Sequence, residues 1–240
     1  MRRLSFFVFL AILNISYLCA QRNRFQNELY VGFGGGAQMS QVDFMPKITQ
    51  DYRLGFQGGV AVKYISDGNA GVRAGVIGEL NFSQRGWVEK FNDEQTELGF
   101  SYSRALNYVS IPFMTHVNAG RGNVRFIFNA GPQVSFLLSD SQNMSQTLAD
   151  DIAKQQAADP NNPTIGVQYQ PFDHLKRIDY GLIGGVGMQL RTGVGDFDLE
   201  GRYNFGLADV FESRRSRSAH FSRSAHRVIE VKLTYYRRIF

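Results

Sequence analysis

The sequence predicts an all-β chain, an eight-stranded antiparallel up-and-down transmembrane β-barrel. Three observations predict it. Apolar and polar residues alternate with period two in eight separate stretches, and period two means a strand with one greasy and one polar face. The connections between these stretches alternate long and short. Past the N-terminus, no uncharged run exceeds the 16 residues 105–120, and the run 126–139 alternates, so no spanning helix of about 20 residues is available.

The hairpin 107–138 shows the rule most plainly. Val124, Phe126, Phe128, Ala130, Pro132, Val134, Phe136 and Leu138 occupy one face, while Arg125, Asn129, Gly131, Gln133 and Ser135 occupy the other. Upstream, Val109, Ile111 and Phe113 alternate in the same way. Between the two strands, residues 118–123 (NAGRGN) supply the glycines and asparagines that tolerate positive φ in a tight turn. Pro112 and Pro132 lack the N–H that a sheet ladder uses, so a bulge is expected near each.

Residues 1–20 have the three parts of a secretory signal peptide: Arg2 and Arg3, an apolar core over 4–13, and a short stretch ending at Ala20. Residues 21–240 then form the barrel domain. Cys19 also fits a lipoprotein anchor, against which Tyr17 and Leu18 argue. It is the one cysteine of the chain, so cleavage after Ala20 leaves no thiol for a disulfide, a zinc site or a nucleophile. Removing Arg2 and Arg3 from the 26 basic residues leaves 24 against 21 acids, a net charge of +3 that gives no reason to expect nucleic acid.

In order, strands are expected at 28–38, 53–65, 70–85, from about 101 through the hairpin to 138, and at 178–190, 196–206 and 227–240. Short turns fall at 66–69, 118–123 and 192–195. Longer connections fall at 39–52, at 86–99 with Trp87 in a charged loop, at 139–177, and at 207–226. Within the longest, SQTLADDIAKQQAA (145–158) reads as a surface helix ending before Pro160. All short turns thus share one rim and all long loops the other, an asymmetry of outer-membrane barrels with periplasmic turns and termini and extracellular loops.

A lipocalin-like secreted barrel would alternate too, with its faces inverted. The polar face decides for the membrane, because it carries Arg73, Glu79, Arg125, Asp198, Glu200, Arg202, Glu230 and Lys232 among many glycines, as suits a narrow lumen in which charges pair. Phe82, Tyr203, Phe205 and Tyr235 lie towards strand ends on the apolar face, where aromatic girdles belong. The chain ends on Phe240, although in phase with Tyr236 rather than Leu233, so Ile239 is the candidate for the outward place. Eight strands leave an interior that side chains fill, so no open pore is expected.

Four segments carry a family resemblance: YVSIP (108–112), NAGP (129–132), DYGLIGGVG (179–187) and RYNFGL (202–207). With them the chain resembles the PorT-type outer-membrane β-barrel family of Gram-negative bacteria, over nearly the whole length after the signal. The resemblance implies an outer-membrane, multi-pass location. It also implies either a barrel without a settled role or a component of the type IX protein-secretion system, with a secretion-machinery or other outer-membrane protein as partner.

For catalysis, the four histidines, His116, His174, His220 and His226, show no nucleophile and base spacing, so no enzyme, metal or cofactor is expected. A small porin and a lipid-modifying outer-membrane enzyme are the remaining alternatives. The sharpest local feature is the basic stretch 213–227, SRRSRSAHFSRSAHR, in which RSAH occurs twice. Read as a loop tip, its Arg214, Arg215, Arg217, Arg223 and Arg227 would hold an anionic partner such as lipopolysaccharide phosphates or an acidic protein surface. Outer-membrane lipid is the other contact that the apolar face implies.

Overall fold

The computed structural model describes residues 27–66, 71–161, 169, 175–211 and 221–239. The signal-peptide reading, His174, His220, Arg214, Arg215, Arg217 and Phe240 lie outside them. Eight long strands, β1 (Glu28–Met45), β3 (Arg53–Ser66), β4 (Val72–Glu89), β5 (Tyr102–Ala119), β6 (Val124–Met144), β7 (Ile178–Arg191), β8 (Asp196–Asp209) and β9 (Arg223–Arg238), pair antiparallel around a closed ring. A two-residue strand, β2 (Gln50–Asp51), pairs with the end of β4. Two helices, α1 (Asp93–Glu97) and α2 (Gln146–Ala158), sit in long connections. The first long strand pairs with the last, and β4 with β5 completes the circle, so none of the eight is left as an edge.

The period-two pattern determines the faces. On β1 the even positions Glu28, Tyr30, Gln38, Ser40, Val42 and Phe44 are buried, while Val31, Phe33 and Met39 are exposed. The other strands follow suit, with Leu54 to Tyr64 on β3, Ile178 to Leu190 on β7 and Ile229 to Leu233 on β9 facing outward. The outward apolar stretch spans about the 9–11 residues that a tilted strand needs to cross hydrocarbon. Aromatic pairs mark both borders. Phe33 and Phe197 flank Tyr235 towards the turn end, with ring centroids 5.6 and 5.2 Å away. Tyr203 and Phe205 stand towards the loop end.

Five strands run further into the loop end than alternation suggested: β1 to Met45, β4 to Glu89, β6 to Met144, β8 to Asp209, and β9 from Arg223. Beyond the belt the outward residues are Gln41, Asp43, Gln84 and Asn107, so the apolar signal stops although the ladder continues. The expected bulges at Pro112 and Pro132 are not found. The one register shift in this hairpin lies between Asn107 and Tyr108, opposite Leu138. Each proline instead interrupts ladder pairing on one side, Pro112 towards β4 and Pro132 towards β5, while the flanking pairs hold the register. The expected helix is present, with Ser145 at its N-cap position. The short α1 went unread, although Asn92 and Gln95 form its capping box.

Trp87 corrects the charged-loop reading. It lies within β4, in phase with Glu79, Asn81, Ser83 and Arg85, and is fully buried. Around it Val42, Phe44, Tyr102, Leu106, Tyr108, Leu137, Leu148, Leu175, Val210, Phe211 and Phe221 form an apolar cap inside the loop end of the barrel. Phe44 packs edge-on to Trp87 with centroids 5.4 Å apart, and Phe221 lies 4.6 Å from Phe44. As Trp87 is the only tryptophan, its emission should be blue-shifted and shielded from iodide in the folded protein. Quenching equal to that of a free indole would rule the cap out.

Candidate functional site: a lumen crossed by ion pairs

All eight charges expected in the lumen point inward, and the structure brings half of them into one cluster. Glu79 on β4 and Arg202 on β8 stand on opposite sides of the ring. Arg202 donates to both oxygens of Glu79, Nη1 to Oε2 at 2.9 Å and Nη2 to Oε1 at 2.8 Å. Lys232 Nζ donates to Glu79 Oε2 at 2.7 Å and to Asn81 Oδ1 at 3.1 Å. Arg202 also donates to Glu200, whose other oxygen accepts from Asn129. Two carboxylates therefore face two cations, and the low dielectric that strengthens each attraction also makes an unmatched charge costly.

The remaining charges take partners that the sequence did not single out. Towards the turn end, Lys63 donates to Asp198 at 2.8 Å with its ammonium 3.8 Å from the Tyr236 ring centroid. Arg73 pairs with Glu28 at 2.7 Å. Arg125 is half-buried and reaches Asn118 at 3.4 Å rather than a carboxylate. It stands beside the turn, not at mid-strand, so water remains within its reach. Glu230 accepts from Gln57 at 3.0 Å. His116, one of the four histidines that show no nucleophile and base spacing, is buried on β5 against Asn129 Oδ1 at 2.7 Å.

Towards the loop end, Arg85 forms a further crossing that sequence reading missed. Its Nη1 donates to Asp179 at 2.8 Å, and its other nitrogens donate to Ser83, Ser110 and Ser135. The signal was available, since Arg85 shares its phase with Glu79. Above it, Arg104 pairs with Asp140 at the level of the apolar cap, its guanidinium carbon 5.8 Å from the Trp87 ring centroid. Outside the belt, burial holds the Glu89 carboxyl above the ordinary carboxylate range, with the Tyr169 O–H donating to it at 2.8 Å and pulling the other way.

The basic tip is corrected in part. Arg223 and Arg227 belong to β9 rather than to a loop. His226, expected in the same loop, is buried in the lumen with Nε2 3.2 Å from the Tyr108 hydroxyl. The strand extends because its N-terminal part pairs with Met45, Asp43 and Gln41 of the equally extended β1. Among the described residues, no group of three His, Cys, Asp or Glu could hold a metal ion.

A closed ring of eight antiparallel strands, greasy outside and charged within, defines a transmembrane barrel of the outer-membrane class. A family model described as "Outer membrane protein beta-barrel domain" matches residues 19–212, and the chain belongs to that family, which places it in the bacterial outer membrane. Among solved structures, it is similar to Ail, the attachment invasion locus protein of Yersinia pestis, at 13% identity over 88% of this chain and 97% of that one, with a TM-score of 0.36. It is also similar to OprG from Pseudomonas aeruginosa, at 9% identity over 88% and 96% with a TM-score of 0.43. Neisserial surface protein A is a third, at 11% identity over 86% and 96% with a TM-score of 0.38. No curated protein sequence matches.

Proposed function

We propose that the chain is a non-enzymatic integral outer-membrane protein that acts through its loop end and its wall rather than through its lumen. The observation that carries this reading is the lumen itself. The Glu79 to Arg202 pair spans opposite strands, the Arg85 to Asp179 pair lies above it, and the apolar cap stands above both. Three successive layers are poor material for an open conduit, and this argues against the small-porin reading. In this account the charge network fills and stabilises the barrel.

The same reading has the tight turns and both termini in the periplasm and the connections bearing α1 and α2 outside the cell. The connection after Ser139 supplies the test. In whole cells, added protease should cut it while the extracted protein retains a heat-modifiable folded band. Cleavage only after the outer membrane is breached would reverse the orientation, and a water-soluble protein without a heat shift would revive the inverted, lipocalin-like barrel.

A second reading, a PorT-like component of the type IX secretion machinery, draws on where the four resemblance segments fall. They occupy β5, β6, β7 and β8, which are consecutive in the ring and form one continuous side of the wall. That side suits a contact with another membrane protein. Deleting the gene and assaying protein export decides it, since unimpaired export would remove the secretion role.

A further inference from the structure

The two arginines that leave the loop make a site of their own on the outer wall. Arg227 occupies the outward phase of β9, next in line after Ile229. At the level of Ile229 the neighbours are Met39 and Tyr203, and at Arg227 they become Gln41 and Phe205. Arg227 therefore stands where the apolar belt gives way to the polar rim, at the depth of lipid headgroups. Its guanidinium carbon lies 3.8 Å from the Phe205 ring centroid. Nη1 donates to the Gly206 and His226 carbonyls, both at 2.9 Å, and Nη2 to Asp43 at 3.2 Å.

Arg223 reaches the same Asp43 oxygen at 3.3 Å, so one carboxylate serves two guanidinium groups. Both Arg223 and Asp43 keep about two fifths of their side-chain surface open, 41% and 44%. Beside them runs a groove of about 650 Å³, lined among others by Asp43, Lys47, Tyr203 and Arg227. Lys47, exposed in the connection after β1, adds a third positive charge. Three cations stand against Asp43 and against Asp209, which lies on the neighbouring strand opposite Ala225, and a surplus of one remains directly above an apolar wall.

We propose that this groove binds the phosphorylated headgroup of an outer-leaflet saccharolipid, lipopolysaccharide, with the acyl chains lying on Ile229, Tyr203 and Met39. Guanidinium groups suit phosphate oxygens because their N–H donors are fixed in a plane. Arg227, held by two carbonyls and stacked on Phe205, loses little freedom on binding. Arg223 and Lys47 close on the phosphate from the solvent side. A free anion would use only the polar half of this surface, whereas a lipid uses both. The choice of leaflet rests on the orientation proposed above.

The test is lipid binding to the full-length protein, extracted from outer membranes and freed of lipid, followed by native mass spectrometry. The probes are bisphosphorylated lipid A, the same lipid dephosphorylated, phosphatidylglycerol and inorganic phosphate. Bisphosphorylated lipid A should bind, and Arg223→Ser and Lys47→Ser should each weaken it, about tenfold together, because charge-assisted contacts are lost. Arg227→Lys, which keeps the charge and loses the planar fork, should weaken it as well. Each variant is first checked for a heat-modifiable folded band, and Arg223→Ser with Lys47→Ser keeps the test intact if Arg227 is needed for folding.

Equal binding of the dephosphorylated lipid, or a folded double variant with undiminished affinity, would overturn the site and leave the orientation standing. Arginine-dependent binding of phosphatidylglycerol but not lipid A would overturn the outer-leaflet assignment and count against the orientation. Inorganic phosphate bound as tightly as lipid A would overturn the lipid.

Discussion

Glu79→Gln should destabilise the barrel by about 3–5 kcal/mol, the usual cost of removing one partner from a buried ion pair. Glu79 accepts from Arg202 through both oxygens and from Lys232 and Asn81 through one. Glutamine keeps the shape and removes the charge. Arg202 would then rely on Glu200, and Lys232 would be left with a neutral amide beside Asn81. The side chains of Glu79 and Arg202 are fully buried, so water does not screen the loss. Urea titration of the protein refolded into lipid vesicles, followed by heat-modifiable migration, measures the difference.

Glu200→Gln should cost less, because Arg202 retains its two bonds to Glu79. Replacing Glu79 and Arg202 together by glutamine should recover part of the loss, the signature of coupled sites. Ion leakage from the vesicles should change little in any of these variants. A shift below about 1 kcal/mol for Glu79→Gln, in the range of exposed pairs, would mean that solvent reaches the cluster and that the lumen is open.

How far the structure could be read from the sequence depended on what each side chain faced. Val124 to Leu138 announced β6 because hydrocarbon selects greasy residues at every second position of that stretch. Beyond Leu138 the same strand continues to Met144 with Ser139, Ser141 and Asn143 outward, and no hydrophobic period marks it. Trp87, Arg85 and His226 were misplaced or overlooked for the same reason. Their inward phase follows from Glu79 and Glu230, yet the polar rim around them reads as loop. Partners across the lumen were out of reach for a different reason. Lys63 and Asp198 lie far apart in sequence, and only the pairing of β1 with β9 brings β3 within reach of β8 across the lumen.

Closure itself supplies the other large effect: Gly36→Ala should prevent the barrel from closing in most molecules. Gly32, Gly34 and Gly36 point inward along β1, at its seam with β9. A Cβ at Gly36 would lie 1.8 Å from the Val231 carbonyl oxygen, and at Gly32 and Gly34 2.5 Å from those of Tyr235 and Leu233. Each obstacle is backbone, so no side-chain rotation relieves it and the two strands must separate locally. Overpacking ordinarily costs about 1–3 kcal/mol, and more where backbone must move. Here, separation also unpairs backbone groups next to hydrocarbon, at several kcal/mol each.

Gly201→Ala is the matched control, an outward glycine on β8 with nothing within 4 Å of the added carbon. It should fold with wild-type yield, while Gly36→Ala should lose most of the heat-modifiable folded species on refolding into vesicles. Equal yields would show that the seam has room for a methyl group, and the inward glycines of β1 would then need an explanation other than close approach to β9.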